Sequence, residues 1–409
     1  MLELAVMGAW AEFALRWLHV ITAIAWIGSS FYFIALDLGL RKSPDLPKGA
    51  YGEEWQVHGG GFYHIQKYLV APDRLPEHLI WHKWQSYVTW LSGFALLAVI
   101  YYVGAEFYLI DADVMDLAAW QAIAISIASL AVGWVIYDLL CKSRFGKDNN
   151  RLMALLFVLL VIMAWGYTQV FTGRAALLHL GAFTATIMSA NVFMIIIPNQ
   201  KIVVADLRAG RTPDAKYGLI AKQRSTHNNY LTLPVIFLML SNHYPLAFAS
   251  DYNWLIAGLV FLMGVTIRHF FNTMHMGGGY KWWTWAATTV LFLAIIWLST
   301  LGQPRDDDPE LASLPPTAAR FADDPHFEDV YWTVVGHCSM CHAQDPVWPG
   351  LHWAPKGVVL ETEAQVARAA QSIYLQSGIS HAMPPGSTVL MDATARMQIA
   401  QWYRRVNGS

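Results

Sequence analysis

The sequence predicts an all-α protein: an eight-helix transmembrane bundle followed by a small α-helical domain. Three observations predict it. Of 409 residues, 56% are hydrophobic and only 14% are charged, against about 25% charged in ordinary soluble domains. Eight apolar runs of about the length that crosses a bilayer fill the first 301 residues. Beyond Leu301 the composition changes abruptly to acidic and Pro-rich, and a compact segment with a C-x-x-C-H motif follows.

The eight runs cover residues 12–38, 83–104, 117–140, 151–171, 176–198, 228–248, 252–272 and 282–301. Gly and Ser recur in each, as expected where helices pack closely in lipid. The start, MLELAVMGAWAEF, lacks a basic region and leads straight into the first span, so that span is expected to stay in the protein rather than be cleaved as a signal peptide. The connections after spans one, three, five and seven hold nearly all the cations, including Arg41, Lys42, Lys142, Arg144, Lys201, Arg208 and Lys281. The connections after spans two, four and six hold only Arg174. The positive-inside rule then puts the cation-rich loops in the cytoplasm and both termini outside. The expected location is a bacterial inner membrane. A faint repeat relates LHVITAIAWIGSSFYFI at Leu18 to LHLGAFTATIMSANVFMI at Leu178, aligning His19 with His179 and suggesting two four-helix units. The net charge of -2 gives no reason to expect a nucleic-acid partner.

Residues 302–318 read as a solvated linker and 319–409 as the second domain. The domain contains GHCSMCHA. Cys338 and Cys341 stand one helical turn apart, so both thiols can add to haem vinyl groups, and His342 can reach the iron from the same face. The expected cofactor is one covalent haem c, and the expected domain a cytochrome c. A structural zinc site is the alternative, but the domain has no other Cys. For the second axial ligand, HAMPPG offers Met383 on a segment stiffened by Pro384 and Pro385. Met340, Met391, Met397 and His381 are its rivals; Met340, inside the motif, cannot reach the opposite face of a haem.

Ionisable groups at membrane depth are costly and therefore functional suspects. His19 and His179 lie in two spans and could hold a membrane haem b, or could simply hydrogen-bond across helix interfaces. Loop one is rich in other chemistry. YGEEWQVHGGGFYHIQKYLVAP (51–72) places His58, His64 and Lys67 among Trp55, Phe62 and Tyr63. Loop three adds Arg224, His227 and Asn228, and span seven ends with Arg268, His269 and Asn272 before His275. Aromatic walls with cationic and amide donors suit a flat, anionic substrate. The plainer alternative is that the cations set topology and the Trp residues mark the interface.

WLHVITAIAWIGSSFYFIALDL, EEWQVHGGGFYHIQKYLVAP and an eight-span body ending in a CSMCH domain resemble the membrane-bound, cytochrome c-linked urate oxidases, also called urate hydroxylases. The resemblance covers essentially the whole chain. It implies an oxidoreductase of purine catabolism that converts urate to 5-hydroxyisourate without forming hydrogen peroxide. Electrons would pass to haem c and on to a soluble cytochrome c or a terminal oxidase. Within it His58, His64 and Lys67 are candidate bases, because urate must lose a proton to reach its more reducing form. Arg224, His227 and Asn228 are candidate substrate ligands. The LHVITAIAWIG segment is also similar to a protoporphyrinogen oxidase family of smaller membrane haem-binding proteins, which favours His19 as a haem b ligand. A quinol or other small-molecule dehydrogenase, or an electron-transfer subunit of a respiratory complex, is the competing function.

Overall fold

The computed structural model describes residues 4–68, 75–112, 114–301, 314–349, 351, 353–385 and 390–408. The chain forms two compact units: 15–242 with 246–302, and 303–409 with 1–14 and 243–245. It is mostly helical, as expected, but contains one antiparallel β-hairpin.

The larger unit is a helical body. Its helices are α1 (Leu4–Gly39), α2 (Trp84–Leu97), α3 (Ala119–Lys142) and α4 (Asn149–Thr168). A fifth rod, α5, runs Gly173–Arg208, followed by α6 (Ala215–Ser241), α7 (Asn253–His275) and α8 (Trp283–Ser299). Among the described residues, five helices are long and apolar enough to cross a membrane: Val6–Gly39, Ala119–Lys142, Asn149–Thr168, Gly173–Arg208 and Asn253–His275. α8 is apolar but shorter, with 17 residues. The remaining two predicted spans differ from a plain apolar helix for identifiable reasons. α2 stays helical beyond Leu97 only through a π turn, Ala98–Tyr102. α6 begins 13 residues before the predicted 228, because its first half is polar and gives no apolar signal.

Local sequence sets the helix starts. Asp148 accepts hydrogen bonds from the Asn150 and Arg151 N–H groups at the head of α4, and Thr172 from Ala175 at the head of α5. Such caps satisfy amides that have no partner within the helix. α5 packs on α2, α3, α4 and α6, while α7 packs on α4, α6 and α8. Close approach depends on two glycines. A Cβ at Gly133 of α3 would stand 1.9 Å from the Phe183 ring, and one at Gly264 of α7 would stand 2.6 Å from the Pro234 ring of α6.

The hairpin joins α1 to α2. β1 (Ala50–His58) pairs with β2 (Gly61–Tyr68), closing at His58 opposite Gly61. Gly59 and Gly60 both have positive φ, of 59° and 79°, as a two-residue hairpin turn requires. The ribbon runs back along α1. Arg41 pairs with Glu53, Glu54 lies against Gly39, and the Tyr32 hydroxyl donates to Gln56 Oε1 at 2.8 Å.

The C-terminal unit holds α9 (Pro316–Ala322), α10 (Phe327–His342) and α11 (Ala393–Asn407), with short helical turns between α10 and α11. Its core joins Phe321, Phe327, Tyr374, Trp402 and Tyr403. Trp402 is fully buried and donates its indole N–H to the Phe321 carbonyl at 3.1 Å. Residues 302–313 of the expected linker and 69–74 of loop one lie outside the described residues.

Candidate functional site

Helix α6 carries the sequence RSTHNNY from Arg224 to Tyr230, and its Arg224, His227, Asn228 and Asn229 side chains are all buried. Buried polar groups must find partners, and consecutive positions on a helix point in different directions. These residues therefore feed two separate polar networks.

The first network faces α3 and α5. Arg224 Nη2 donates to Asp138 Oδ1 at 2.7 Å, and Asp138 Oδ2 also receives Lys142 at 2.6 Å. Arg224 Nη1 donates to Asn191 Oδ1 at 3.2 Å. Asn191 Nδ2 in turn donates to Asn228 Oδ1 at 2.9 Å and to the Tyr137 hydroxyl at 3.0 Å. Tyr137 meets His227 Nδ1 at 2.7 Å, and Asn228 Nδ2 donates to the Met188 carbonyl at 2.9 Å. Asn191 opens a π turn, Asn191–Ile196, within α5; such bulges re-aim side chains and concentrate at functional sites. Arg224 also lines a cleft of about 760 Å³ with Lys142, Lys147, Lys222 and Gln223. The structure thus brings Arg224, His227 and Asn228 together. It also commits the Arg224 charge to Asp138.

The second network faces α7 and α1. Arg268 Nη2 donates to Asn272 Oδ1 at 3.0 Å and its Nε to Asn229 Oδ1 at 3.3 Å. Asn272 Nδ2 donates to the same Asn229 oxygen at 3.0 Å. The Phe31 ring covers the guanidinium at 4.2 Å. No carboxylate among the described residues forms an ion pair with Arg268, which is only 6% exposed. Asn229 Nδ2 and Thr273 Oγ1 are buried without a hydrogen-bond partner. A cleft of about 470 Å³ opens on Arg268, with Phe31, Tyr32, Phe271 and His275 among its lining.

The three candidate bases do not converge. His58 is exposed at the hairpin turn. His64 stacks on Trp55 at 4.1 Å and bonds Glu53 Oε2 through Nε2 at 2.7 Å. Lys67 Nζ donates to Asp37 Oδ1 at 2.5 Å, tying the hairpin to α1. None of the three lines either cleft.

His19 and His179 are also apart. His19 Nδ1 reaches the Thr89 carbonyl at 3.0 Å and Ser92 Oγ at 3.2 Å. His179 is fully buried; its Nδ1 donates to the Ala175 carbonyl and its Nε2 accepts from Ser126, both at 2.8 Å. Its ring meets Tyr101 and Phe171 at 5.9 and 4.7 Å. His19 thus meets α2 at Thr89 and Ser92, whereas His179 meets Tyr101 in the π turn beyond the end of α2.

The C-x-x-C-H motif forms the last turn of α10. Cys338 is buried, Cys341 half-buried, and neither forms a disulfide. Burial, helped by Cys341, pushes the Cys338 thiol up to about 11. His342 Nδ1 donates to the Val358 carbonyl at 2.7 Å. That bond fixes the tautomer and frees Nε2 for a metal. The Met383 N–H donates to the Gln376 carbonyl at 2.9 Å, and Arg396 Nη1 donates to the Met383 carbonyl at 2.9 Å. These residues fit the donor set of a covalent haem: two unpaired thiols on one turn, an anchored imidazole and a thioether on a braced loop.

The urate oxidase N-terminal family model matches residues 5–299, almost the whole helical body. The chain belongs to the urate oxidase N-terminal family. Membership makes it an oxidoreductase relative with a urate-related oxidation role. Comparisons with curated proteins and with solved structures each returned no match.

The family region contains two partners that sequence reasoning overlooked, Asp138 and Asn191. Each sits inside an apolar run, VIYDLLCK and MSANVFMI. A lone acid or amide within a span is the signal that could have found them.

Proposed function

We propose that this urate oxidase family member converts urate to 5-hydroxyisourate and delivers the electrons to a haem c on its own C-terminal domain. Urate plus water gives 5-hydroxyisourate, two protons and two electrons, so the reaction needs an electron acceptor rather than an oxygen donor other than water. The observation that carries the proposal is covalent continuity. One polypeptide joins the urate oxidase N-terminal region, 5–299, to a helix ending in Cys338, Cys341 and an anchored His342. Cys338, Cys341, His342 and Met383 would hold the haem, which would supply a one-electron acceptor of raised potential when bound.

The chain's own residues prepare that site. Val358 orients the imidazole, Gln376 and Arg396 brace the Met383 loop, and Trp402 with Phe327 excludes water from the core. On the positive-inside rule, this reading takes the cation-rich loops to be cytoplasmic in a bacterial inner membrane and the C-terminal domain to be outside. A soluble cytochrome c or a terminal oxidase then receives the electrons.

Aerobic turnover by the purified full-length protein with a cytochrome acceptor tests the proposal. Urate consumption should proceed without matching hydrogen peroxide. Peroxide equal to the urate consumed would show oxygen to be the direct acceptor and end this reading.

A further inference from the structure

The two buried arginines of the helical body differ in one respect. Arg224 has a carboxylate, Asp138, at 2.7 Å. Arg268 is buried to a similar degree, yet among the described residues two asparagine oxygens and one aromatic ring are what it touches, and no carboxylate. A guanidinium stays charged at any physiological pH. Burying a charge without a counter-charge is expensive, and in membrane segments such residues mark ligand or ion pathways.

We infer that Arg268 is the counter-ion for the anionic purine, and that the cleft between α1 and α7 is the substrate site. This inference rests on the urate reading proposed above. Three features support it independently of that reading. The guanidinium has Nε and Nη2 engaged by Asn229 and Asn272, while Nη1 makes no hydrogen bond to a described residue. The two amides thus hold the fork in place and leave an N–H edge for a ligand oxygen. Phe31, Tyr32 and Phe271 supply aromatic walls for a flat ring. The cleft, about 470 Å³, lies in the range of small-molecule sites.

The hairpin belongs to this site. The Tyr32 hydroxyl on the cleft wall donates to Gln56, whose own amide donates to Glu54 at 2.8 Å. The Lys67–Asp37 pair fastens the same ribbon to α1. The long loop motif would therefore act by holding the α1 wall in place, as positioning residues. The rival cleft at Arg224 is lined by solvated lysines, and its buried charge is already neutralised by Asp138.

The test is steady-state kinetics of the full-length haem-loaded protein with urate and an artificial acceptor, joined to a thermal midpoint. Arg268→Gln should raise the urate KM on the order of 100-fold while the thermal midpoint and the haem spectrum stay near wild type. Arg268→Lys should fall between the two. Phe31→Leu, which removes a wall and keeps the charge, should raise KM on the order of 10-fold. A wild-type KM in Arg268→Gln overturns the inference. So does a fall in thermal midpoint that accompanies the loss in both Arg268→Gln and Phe31→Leu, because the residues would then be structural. A wild-type protein that does not oxidise urate would instead remove the functional reading itself.

Discussion

Cys338→Ser combined with Cys341→Ser should abolish urate-driven electron transfer while leaving the helical body in the membrane. The two thiols are the sole covalent anchors the C-terminal unit offers, since its sequence has no further Cys. Without them the haem-stained band on a denaturing gel should disappear. Reduction of an external cytochrome by urate should fall at least about 100-fold, a loss of roughly 2.7 kcal/mol or more in transition-state terms. The variant chain should still fold in part, because Cys338 is one small member of a core that Phe327, Trp402 and Tyr403 dominate, and Ser is close to Cys in size. Full cytochrome reduction by the double variant would mean that electrons leave the family region by another route.

Asp138→Ala should produce the second large effect, on stability. It would strand Arg224, only 2% exposed, without its carboxylate and leave Lys142 unpaired beside it. Removing one partner of a buried ion pair typically costs about 3–5 kcal/mol. Asp138 is itself partly open, with 15% side-chain exposure, so the lower end, about 3 kcal/mol, is expected. Unfolding in detergent should show a lower midpoint. Arg224→Met in the same chain should recover most of the loss, because the stranded charge goes with it. A single variant within about 1 kcal/mol of wild type would show that Asn191 and Tyr137 alone hold Arg224.

The contrast between these arginines explains how much of the molecule could be read from sequence. Five membrane-length helices follow from apolar runs alone, and Ala119–Lys142 and Asn253–His275 match the expected spans to within three residues. The head of α6 was illegible. KYGLIAKQ is mostly exposed and RSTHNNY buries polar side chains against polar partners, so neither half leaves an apolar run for hydropathy to register. The hairpin left a clear turn signal in Gly59–Gly61, but both its faces mix aromatic with ionisable residues, so no alternation separated strand from loop.

The candidate site divides in the same way. Residue types and their cluster were visible: Arg224, His227, Asn228, Arg268, Asn272 and His275 all stood out as cationic or amide groups near apolar spans. Which arginine carried a counter-charge was not visible, because it depends on Asp138 being brought from another helix. His64 and Lys67 were visible as candidate bases; that the fold pairs them with Glu53 and Asp37 was not. His19 and His179 matched in a repeat, yet one packs on Thr89 and Ser92 of α2 and the other on Tyr101 in the π turn that follows it. The C-x-x-C-H motif was legible in full because its chemistry is local, spanning one helical turn.

If urate's electrons reach a haem on the C-terminal unit of the same chain, anaerobic addition of urate to the oxidised, purified protein should change the haem c absorption bands. Two haems should be reduced for each urate consumed, with no oxygen present. Unchanged haem bands after urate, in protein that dithionite still reduces, would contradict it.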